Sequence, residues 1–514
     1  MAAVCSPVRF LFWLSPCLTG RASAAAIATM ADDSLWRSVE NSARARILER
    51  RWRQLCARYL PRAPKNSIWC YRYRLDRRLP DSGWKLHISA TILNAPAVLK
   101  RVAPFLIARR VQFKAARTLS DVAKLNSGLY HGYSQIGKVI TVYPRNETEA
   151  IDLAGQLHQL TRRFTAPSVP FDLRFADTSN VYYRFGAFRR VAIEHPDGGR
   201  TLGVRTPSGE LVPDARDNPK PDWVRDPFAD LKPRRLRSHI RNEAAPFRVL
   251  QALIQRGKGG VYQAVDFSSH APRLCLLKEG RRHGEVTWDG RDGAWRVRNE
   301  ERVLKRLAAG GVMVPAVYAS FEVAGNYYLA MEWIDGESLH SLLLKRKRRF
   351  PLARVLSYGV QLSAFLSRMH QAGWTWRDCK PRNLIVTSGD HLVPIDFEGA
   401  AEIDRPDRLV WGTPGFVPPE RQHRTEGDAV PDDLYALGSI LYLLLTGRVF
   451  NQTQSLHIKS LRREVPRELC GLVASLLAAD AGQRPSAQST TLQLTTILQK
   501  HWPAHLRPAA VKAA

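Results

Sequence analysis

Hydrophobic and polar residues alternate in several short stretches of the first half of the chain. In GWKLHISAT the alternation predicts a β-strand on which Lys85 and His87, two residues apart, project from the same face. Strand signals also occur in VQFKAA, GKVITVYP and VYYRFGAF, which carry Lys114, Lys138 and Arg184. Convergence of these cationic side chains from several strands would form a phosphate pocket.

A different pattern follows in the second half. The apolar strand signal RLCLLKEG contains a single lysine, Lys278, and VRNEERVLKRL has the spacing of a helix with Leu304 and Leu307 on its core face. Glu300 is placed to face a cleft, and Glu301 is the alternative. Further on, DDLYALGSILYLLLTGR is an apolar helix whose SILYLLL stretch is too short to span a bilayer, and no other apolar run is long enough.

The segment 31–62 is basic and has helical spacing of apolar residues. Those residues, with Arg between them, are Leu35, Val39, Ala43, Ile47, Trp52 and Leu55. The pattern predicts an amphipathic helix docked on the rest of the protein; the alternative is a surface that binds a peptide leader or a membrane. Residues 1–30 resemble a secretory signal, and we interpret them as an over-called start before Met30, with a true signal or transit peptide as the alternative.

The composition is that of a globular protein with a strongly basic charge. The 514 residues are 45% hydrophobic and carry a net charge of +30, so the chain is long enough for two or three domains and attracts polyanions. It contains no zinc-finger, RRM or KH signature, and the charge is spread over both halves. These facts favour a phosphorylated or acidic peptide over nucleic acid as the partner.

The seven cysteines are scattered along the chain. None forms a C-x-x-C pair or lies near histidines at zinc-ligand spacing, and their odd number does not suit a disulfide framework. The pattern argues against a zinc site and is typical of a reducing cytoplasm, where ATP is available.

Two neighbouring motifs have the spacing that phosphoryl transfer requires. WTWRDCKPRNLIV is followed by VPIDFEGA, which sets Asp378, Lys380, Asn383 and Asp396 in the order found in protein kinases. In such a site Asp378 accepts the proton of the attacking hydroxyl and Lys380 neutralises the moving phosphoryl group, while Asn383 and Asp396 hold Mg²⁺. The motifs therefore predict a kinase that uses ATP and Mg²⁺.

Upstream residues supply the nucleotide contacts of such a site. Lys278 is expected to bridge the ATP phosphates and to pair with Glu300. In LIQRGKGGVYQAVD, Gly257, Gly259 and Gly260 are packed closer than in G-x-G-x-x-G, so this string alone also fits a plain hairpin turn. Its position ahead of Lys278 favours a loop that covers the phosphates.

Two residues depart from the kinase pattern. Trp376 replaces the His that usually precedes the Arg-Asp pair, and we expect its ring to fill the apolar slot beneath Phe397. Glu398 replaces the Gly that usually follows Asp-Phe. A Glu there restricts backbone rotation, and its carboxylate either lies near the metal or is an additional surface charge.

The segment 396–420 has one hydroxyl-bearing residue, Thr413, which is expected beside Asp378 rather than at a phosphorylation site. We expect Arg377 to form a fixed ion pair with one of three acidic residues, Glu402, Asp404 or Asp407. The segment therefore predicts a kinase that is active without phosphorylation of this loop.

Long stretches around these motifs resemble one family. Residues from 63 to about 235 look like the N-terminal phosphoserine/phosphothreonine lyase domain of class III lanthionine synthetases, itself related to phosphothreonine lyases of bacterial effectors. GGVYQAVD, LLKEGRRHGE, RDGAWRVRNEERVLKRL and PIDFEGA are similar to that family's central domain. The resemblance maps the family's base and acid onto Lys85 and His87, and its phosphate contacts onto Lys114, Lys138 and Arg184. It implies phosphorylation of Ser or Thr in a peptide, followed by elimination of the phosphate.

The expected fold class is α+β. A bilobal kinase-like fold over 247–500 is preceded by an α+β lyase-like domain over 63–235 and a basic linker over 236–246, and a tail over 501–514 follows. The family's C-terminal cyclase is not recognised, so we expect a separate cyclase or no ring closure. Two alternatives stay open: a regulatory Ser/Thr kinase whose N-terminal domain only binds substrate, and a pseudokinase-type binding module.

Overall fold

The computed structural model describes residues 43–73, 79–189, 191–194, 199–229, 246–268, 270–346, 348–407, 409, 411–422, 429–451 and 456–503. The proposed leader, residues 236–245 of the proposed linker and residues 504–514 of the tail lie outside the described residues. The fold combines helices and antiparallel sheets in two units, so the predicted α+β class is confirmed.

The N-terminal unit is built on a six-stranded antiparallel sheet with the order β1-β3-β4-β2-β6-β5. Its strands are β1 (Trp69–Tyr71), β2 (Ser82–Ile88), β3 (Gln112–Ala116), β4 (Ile140–Tyr143), β5 (Leu173–Arg174) and β6 (Val181–Ala187). Trp84, Leu86 and Ile88 of β2 are buried in the core, which places Lys85 and His87 on the opposite face, as the alternation predicted.

Four helices accompany this sheet. They are α1 (Ala43–Tyr59), α2 (Ala95–Ala108), α3 (Leu119–Ser127) and α4 (Glu147–Thr161). A capping box explains where α3 begins, because the Thr118 side chain accepts from Asp121 N–H while the Asp121 carboxylate accepts from Thr118 N–H. A small three-stranded sheet follows, with β7 (Ala192–Glu194), β8 (Arg200–Arg205) and β9 (Leu211–Pro213).

The basic amphipathic segment forms α1 and docks on the N-terminal unit, as predicted. Trp52 is fully buried, and its indole N–H donates to the carbonyl of Ala116 at 3.1 Å. The expected position of Ile47 on the docked face is wrong, since this residue is 64% exposed. The buried stripe instead runs through Ala45, Trp52 and Cys56, which lie seven and four residues apart on one helix face. Leu35 and Val39 lie outside the described residues.

The second unit begins with a five-stranded antiparallel sheet of order β10-β11-β12-β14-β13 and one helix. These elements are β10 (Phe247–Gln255), β11 (Gly260–Asp266), β12 (Arg273–Gly280), α5 (Gly293–Ala309), β13 (Val317–Val323) and β14 (Asn326–Glu332). The carboxylate of Asp292 caps α5 by accepting from Trp295 N–H. Leu304 and Leu307 of α5 face the core, as their spacing predicted, and Val303 lies with them.

A mainly helical lobe completes the second unit. Its helices are α6 (Leu339–Lys345), α7 (Leu352–Gln371), α8 (Val430–Thr446), α9 (Ile458–Leu461), α10 (Arg467–Leu476) and α11 (Ala487–His501). Its short strands are β15 (Glu337–Ser338), β16 (Trp374–Thr375), β17 (Leu384–Val386), β18 (Leu392–Pro394) and β19 (Ala401–Glu402). The apolar helix α8 is buried in this lobe, and among the described residues no helix has the length and apolarity needed to cross a membrane.

The two units touch at the loop between β10 and β11. Gly257 N–H donates to the carbonyl of Ser127 at 2.8 Å. Trp288, in the loop 281–292 before α5, is only 5% exposed and belongs to the buried cluster of the N-terminal unit. The N-terminal unit therefore packs directly against the loop that leads into β11 and the loop that leads into α5.

Candidate functional site

The first candidate site lies between the two lobes of the second unit and is centred on Lys278. Its ammonium lies 2.7 Å from both carboxylate oxygens of Glu300 and 3.0 Å from Oδ1 of Asp396. Burial alone would lower the pKa of Lys278, but the charges of Asp396 and Glu300 outweigh it and raise the pKa above its usual value. Lys278 is therefore held as a cation that ties β12, α5 and the 396 segment together.

The second group of side chains surrounds Asp378. The ammonium of Lys380 lies 2.8 Å from Oδ2 of Asp378, and the amide NH₂ of Asn383 donates to the same oxygen at 3.1 Å. Burial raises the pKa of the Asp378 carboxyl, an effect that Lys380 partly offsets. Because the Asn383 NH₂ is used on Asp378, its amide oxygen is the group available for a cation.

Asp433 holds the loop that carries Asp378. Its carboxylate accepts from the backbone N–H groups of Trp376 and Arg377 at 2.9 and 2.7 Å. Arg377 and Asp396 both have positive φ angles, 70° and 68°, which non-glycine residues adopt only when their surroundings enforce them. A fixed backbone in each of these two segments of the helical lobe positions Asp378 and Asp396.

The two departures from the kinase pattern have structural explanations. The Trp376 ring stacks on Phe397 with centroids 5.5 Å apart, and its indole N–H donates to the carbonyl of Asp396 at 3.1 Å, so the packing prediction is confirmed. The Glu398 carboxylate accepts a hydrogen bond from the ammonium of Lys258 in the glycine-containing loop. Glu398 is 9% exposed, so the surface-charge interpretation is wrong.

The glycines of the loop are required for packing. A Cβ at Gly257 would lie 1.7 Å from the Asn126 carbonyl oxygen of the N-terminal unit. At Gly259, where φ is +153°, a Cβ would lie 1.6 Å from the Glu279 carbonyl oxygen. Gly260 is buried at the start of β11. The requirement for glycine at 257 and 259 thus follows from contacts with the protein's own backbone, and phosphate binding by the three glycines stays a prediction.

Asp407 is the acidic residue that pairs with Arg377. Arg377 Nη1 lies 2.9 Å from Asp407 Oδ2, and Arg291, from the loop before α5, contacts both carboxylate oxygens at 2.5 and 2.9 Å. Burial alone would raise the pKa of Asp407, but the two guanidinium groups lower it to about 2. The expected fixed ion pair of Arg377 is therefore confirmed. Because Arg291 belongs to the other lobe, the Asp407 carboxylate links the two lobes.

Replacing Thr413 by Val is expected to reduce phosphoryl transfer without changing any phosphorylation of the protein itself. The Thr413 hydroxyl donates to Asp378 Oδ1 at 3.1 Å and accepts from Lys380 at 3.0 Å, so Val removes two contacts that orient the carboxylate. We expect a loss of roughly tenfold or more in kcat, because even one lost hydrogen bond to a charged group has about this effect. Intact-mass measurement is the control, and a functional phosphate mapped to Thr413 would contradict this assignment.

The second candidate site lies on the face of the N-terminal sheet opposite the core residues of β2, and most of its side chains are buried. His87 Nδ1 lies 2.6 Å from Oδ2 of Asp172, and the ammonium of Lys138 lies 2.8 Å from Oδ1 of the same carboxylate. Burial lowers the pKa of His87 to about 3 against the opposing effect of Asp172, so the imidazole is neutral at physiological pH. His87 and Lys138 thus share one buried carboxylate through different oxygens. Burial alone would raise the pKa of Asp172, but His87 and Lys138 lower it to about 2.

Lys85 and Arg184 face each other across β2 and β6. The guanidinium of Arg184 lies 2.8 Å from Oδ1 of Asp214. Burial, reinforced by the charges of Arg184 and Lys138, lowers the pKa of Lys85 to about 8 although Asp214 opposes the shift. An appreciable fraction of Lys85 is therefore a neutral amine near physiological pH.

Lys114 lies at the edge of the group formed by the other predicted cationic residues. It is opposite Thr141, which is opposite His87 on the next strand, so all three share one face of the sheet. The ammonium of Lys114 lies 4.0 Å above the Trp69 ring. The sequence pattern had placed Lys138 within a strand, but it lies two residues before β4. The structure thus groups Lys85, His87, Lys138 and Arg184 and leaves Lys114 at the margin.

Sequence reasoning missed Asp172 and Asp214. Asp172 follows Phe171, whose φ of 64° is unusual for an aromatic residue, and Asp214 directly follows β9. Neither lies in a periodic stretch. Several buried cations that converge need a buried carboxylate to compensate their charge. That requirement could have indicated that acidic partners were missing from the predicted site.

Comparison with known families defines the class of protein. Residues 54–239 match the family described as RamC, N-terminal domain, and residues 256–502 match the protein kinase domain family. The chain therefore contains a region that matches the RamC N-terminal domain, followed by a region that matches a protein kinase domain. A protein kinase domain implies ATP as a substrate, usually with Mg²⁺, and a protein or peptide as the acceptor.

Particular relatives agree with this assignment. The probable SapB synthase of Streptomyces coelicolor is 34% identical over 403 residues, which are 74% of this chain and 42% of that protein. Serine/threonine-protein kinase PknD of Mycobacterium tuberculosis is 30% identical over 216 residues, 40% of this chain and 31% of PknD. The chain spans less than half the length of these relatives. The resemblance to lanthionine synthetases stated from the sequence is confirmed at the level of this pair of domains.

The residues present fit a magnesium nucleotide. Among the described residues no group of three or more His, Cys, Asp or Glu side chains could hold a metal by itself. Mg²⁺ at kinase sites takes only one or two protein oxygens and completes its coordination with phosphates and water. Asp396 and the amide oxygen of Asn383 supply such a donor pair.

Proposed function

We propose that this protein phosphorylates Ser or Thr in a peptide or protein and then eliminates the phosphate to give a dehydroamino acid. Asp378 accepts the proton of the attacking hydroxyl, and Lys380 and Lys278 neutralise the phosphates. Asn383 and Asp396 hold Mg²⁺, which neutralises charge on the transferring group when bound. The observation that carries the whole proposal is the presence in one chain of this kinase site and of a buried cationic site with a lysine pKa of about 8.

The elimination step uses the second site. Neutral Lys85 takes the Cα proton, the electrons of that bond form the Cα=Cβ double bond, and the Cβ–O bond breaks so that phosphate leaves with its electron pair. Lys138 and Arg184 stabilise the leaving oxygens, and Lys114 lies at the edge of the pocket.

We assign His87 the role of proton donor to the leaving group, with one condition. Its pKa of about 3 in the free protein means that the imidazole has a single proton, and we place that proton on Nδ1, facing Asp172. A bound phosphate dianion raises the pKa of a neighbouring imidazole. His87 therefore becomes an acid only in the complex with phosphorylated substrate.

Two other functions remain distinct candidates. A regulatory kinase whose N-terminal domain only binds substrate would use the same cations for docking. A pseudokinase is disfavoured by the contacts of Lys278 with both Glu300 and Asp396, which are those of a catalytic kinase cleft. Mass spectrometry of a substrate peptide with ATP separates the three. The proposed enzyme yields a peptide about 18 Da lighter, the regulatory kinase one about 80 Da heavier, and the pseudokinase an unchanged peptide.

The rate of elimination is expected to rise with pH and level off near pH 8. The base must be neutral, so kcat/KM for phosphate release from a phosphoserine peptide should increase about tenfold per pH unit below the pKa of Lys85. With a pKa of about 3, His87 in the free protein does not titrate in this range. The assay omits ATP so that the kinase step is silent. A flat or falling profile between about pH 6 and 8 would exclude Lys85 as the base.

A further inference from the structure

Glu398 and Lys258 form an ion pair that crosses the candidate nucleotide cleft. Lys258 lies in the loop between β10 and β11, and Glu398 lies two residues after Asp396. Both side chains are largely buried, with 26% and 11% of their surfaces exposed. A pair in this place occupies the space between the loop that covers the phosphates and the segment that carries the metal ligand.

The backbone of Lys258 is fixed from three sides. Its carbonyl accepts from Arg281 N–H at 2.8 Å, and the preceding residue, Gly257, donates to Ser127 of the N-terminal domain at 2.8 Å. Gly293 has no room for a Cβ because that atom would lie 1.7 Å from the Lys258 carbonyl oxygen. A loop held in this way keeps its position, so only the long side chain of Lys258 adjusts when a ligand arrives.

The ammonium of Lys258 lies beside the segment that carries Asp396, because its partner Glu398 is only two residues after Asp396. Lys278 of β12 lies 3.0 Å from Oδ1 of Asp396. Two lysines, one from β12 and one from the loop before β11, therefore approach the segment that is proposed to hold Mg²⁺. The phosphate chain of ATP carries up to four negative charges, and the carboxylates of Glu300 and Asp396 add two more, so the two lysines of the proposed kinase site, with one Mg²⁺, leave a net negative charge that Lys258 would reduce.

We propose that Lys258 binds the phosphates of ATP and that Glu398 is a positioning residue that holds the Lys258 side chain over the phosphate site. This inference rests on the proposed kinase function and adds a residue to it. On binding, the Lys258 ammonium contacts a phosphate oxygen while Glu398 keeps a hydrogen bond to it. The Glu that replaces the usual Gly after Asp-Phe thus acts on the nucleotide through Lys258, and it is not a metal ligand.

Calorimetric binding of a non-hydrolysable ATP analogue to the full chain tests the proposal. Lys258→Met is expected to weaken binding of the analogue by roughly tenfold or more, since it removes a hydrogen bond between two charged groups. Binding of adenosine should stay unchanged because adenosine has no phosphate. If Lys258→Met binds the analogue as tightly as the wild type or more tightly, the ion pair is a latch that ATP must open, and the proposal is overturned.

A double-mutant cycle tests the role of Glu398. Glu398→Gln should weaken binding of the analogue less than Lys258→Met does, and it should have no further effect when Lys258 is already Met. We expect binding of the analogue to reach half its maximum at the same Mg²⁺ concentration in the Lys258→Met variant and in the Lys258→Met, Glu398→Gln double variant. A shift in that concentration would instead make Glu398 a metal ligand and refute the positioning role.

The exposed pair of Lys500 and Glu468, 2.6 Å apart on the helical lobe, supplies matched controls. Lys500→Met and Glu468→Gln make the same chemical changes far from the cleft and should leave binding of the analogue unchanged. Failure of the wild-type protein to bind the analogue or to phosphorylate any peptide would refute the kinase function itself. If instead the wild-type protein binds the analogue normally and Lys258→Met binds it equally well, only the role of Lys258 is refuted.

Discussion

Replacing Asp396 by Asn is expected to lower the rate of phosphoryl transfer by roughly 10²- to 10³-fold while leaving the protein folded. Asn keeps the shape of the side chain but removes the negative charge that attracts Mg²⁺. The buried charge of Lys278 stays compensated because Glu300 still contacts it at 2.7 Å. Transfer of radioactive phosphate from ATP to an acceptor peptide measures the loss, and thermal unfolding checks the fold.

Asp404→Asn is the matched control, because Asp404 is an exposed residue in the same segment. It should retain full activity. Wild-type turnover by Asp396→Asn would show that the metal is held elsewhere and would remove the basis for the roles given to Asn383 and Lys278. Lys278→Met is a less suitable variant, since it leaves Glu300 buried without its partner at a cost of about 3–5 kcal/mol.

Replacing Lys85 by Met is expected to stop the reaction at the phosphorylated peptide. The kinase site is unchanged, so peptides about 80 Da heavier per site should accumulate, whereas the wild-type protein should give peptides about 18 Da lighter. Loss of a general base typically reduces the rate by about 10²- to 10⁴-fold. His87→Phe should give the same arrest, because it removes the proposed proton donor and leaves Asp172 to Lys138 alone.

Lys100→Met provides the control for a lost positive charge, since Lys100 is exposed on α2. It should give the dehydrated product at the wild-type rate. If the wild-type protein itself yields only the heavier peptide on its true substrate, the N-terminal domain is a basic docking surface and the elimination assignment is wrong.

The kinase site could be predicted because its residues lie in short runs with fixed spacing. Asp378, Lys380 and Asn383 lie within six consecutive residues, and strand and helix periodicity placed Lys278 and Glu300 on elements that face each other. The sequence left three possible partners for Arg377. Packing of the folded segment selects Asp407, because Arg291 approaches from the other lobe.

The N-terminal site was only half predictable for a physical reason. Alternation identifies which strand residues share a face, and that was sufficient for Lys85 and His87. Asp172 and Asp214 come from segments between strands, where no periodicity reports orientation. Their positions depend on tertiary contacts alone. The same holds for Gly257, whose requirement for glycine comes from Asn126, far away in the sequence.

The insertion of Trp288 into the core of the N-terminal domain has a consequence for how such proteins diverge. A kinase domain separated from the N-terminal domain would expose the apolar ring of Trp288 to water. The N-terminal domain would lose a side chain from its core. Recombination that joined this kinase to an unrelated partner would therefore carry a penalty in solubility and stability. We therefore expect the two domains to be inherited together, and substitutions of Trp288 to be accompanied by compensating substitutions in the N-terminal core that it enters.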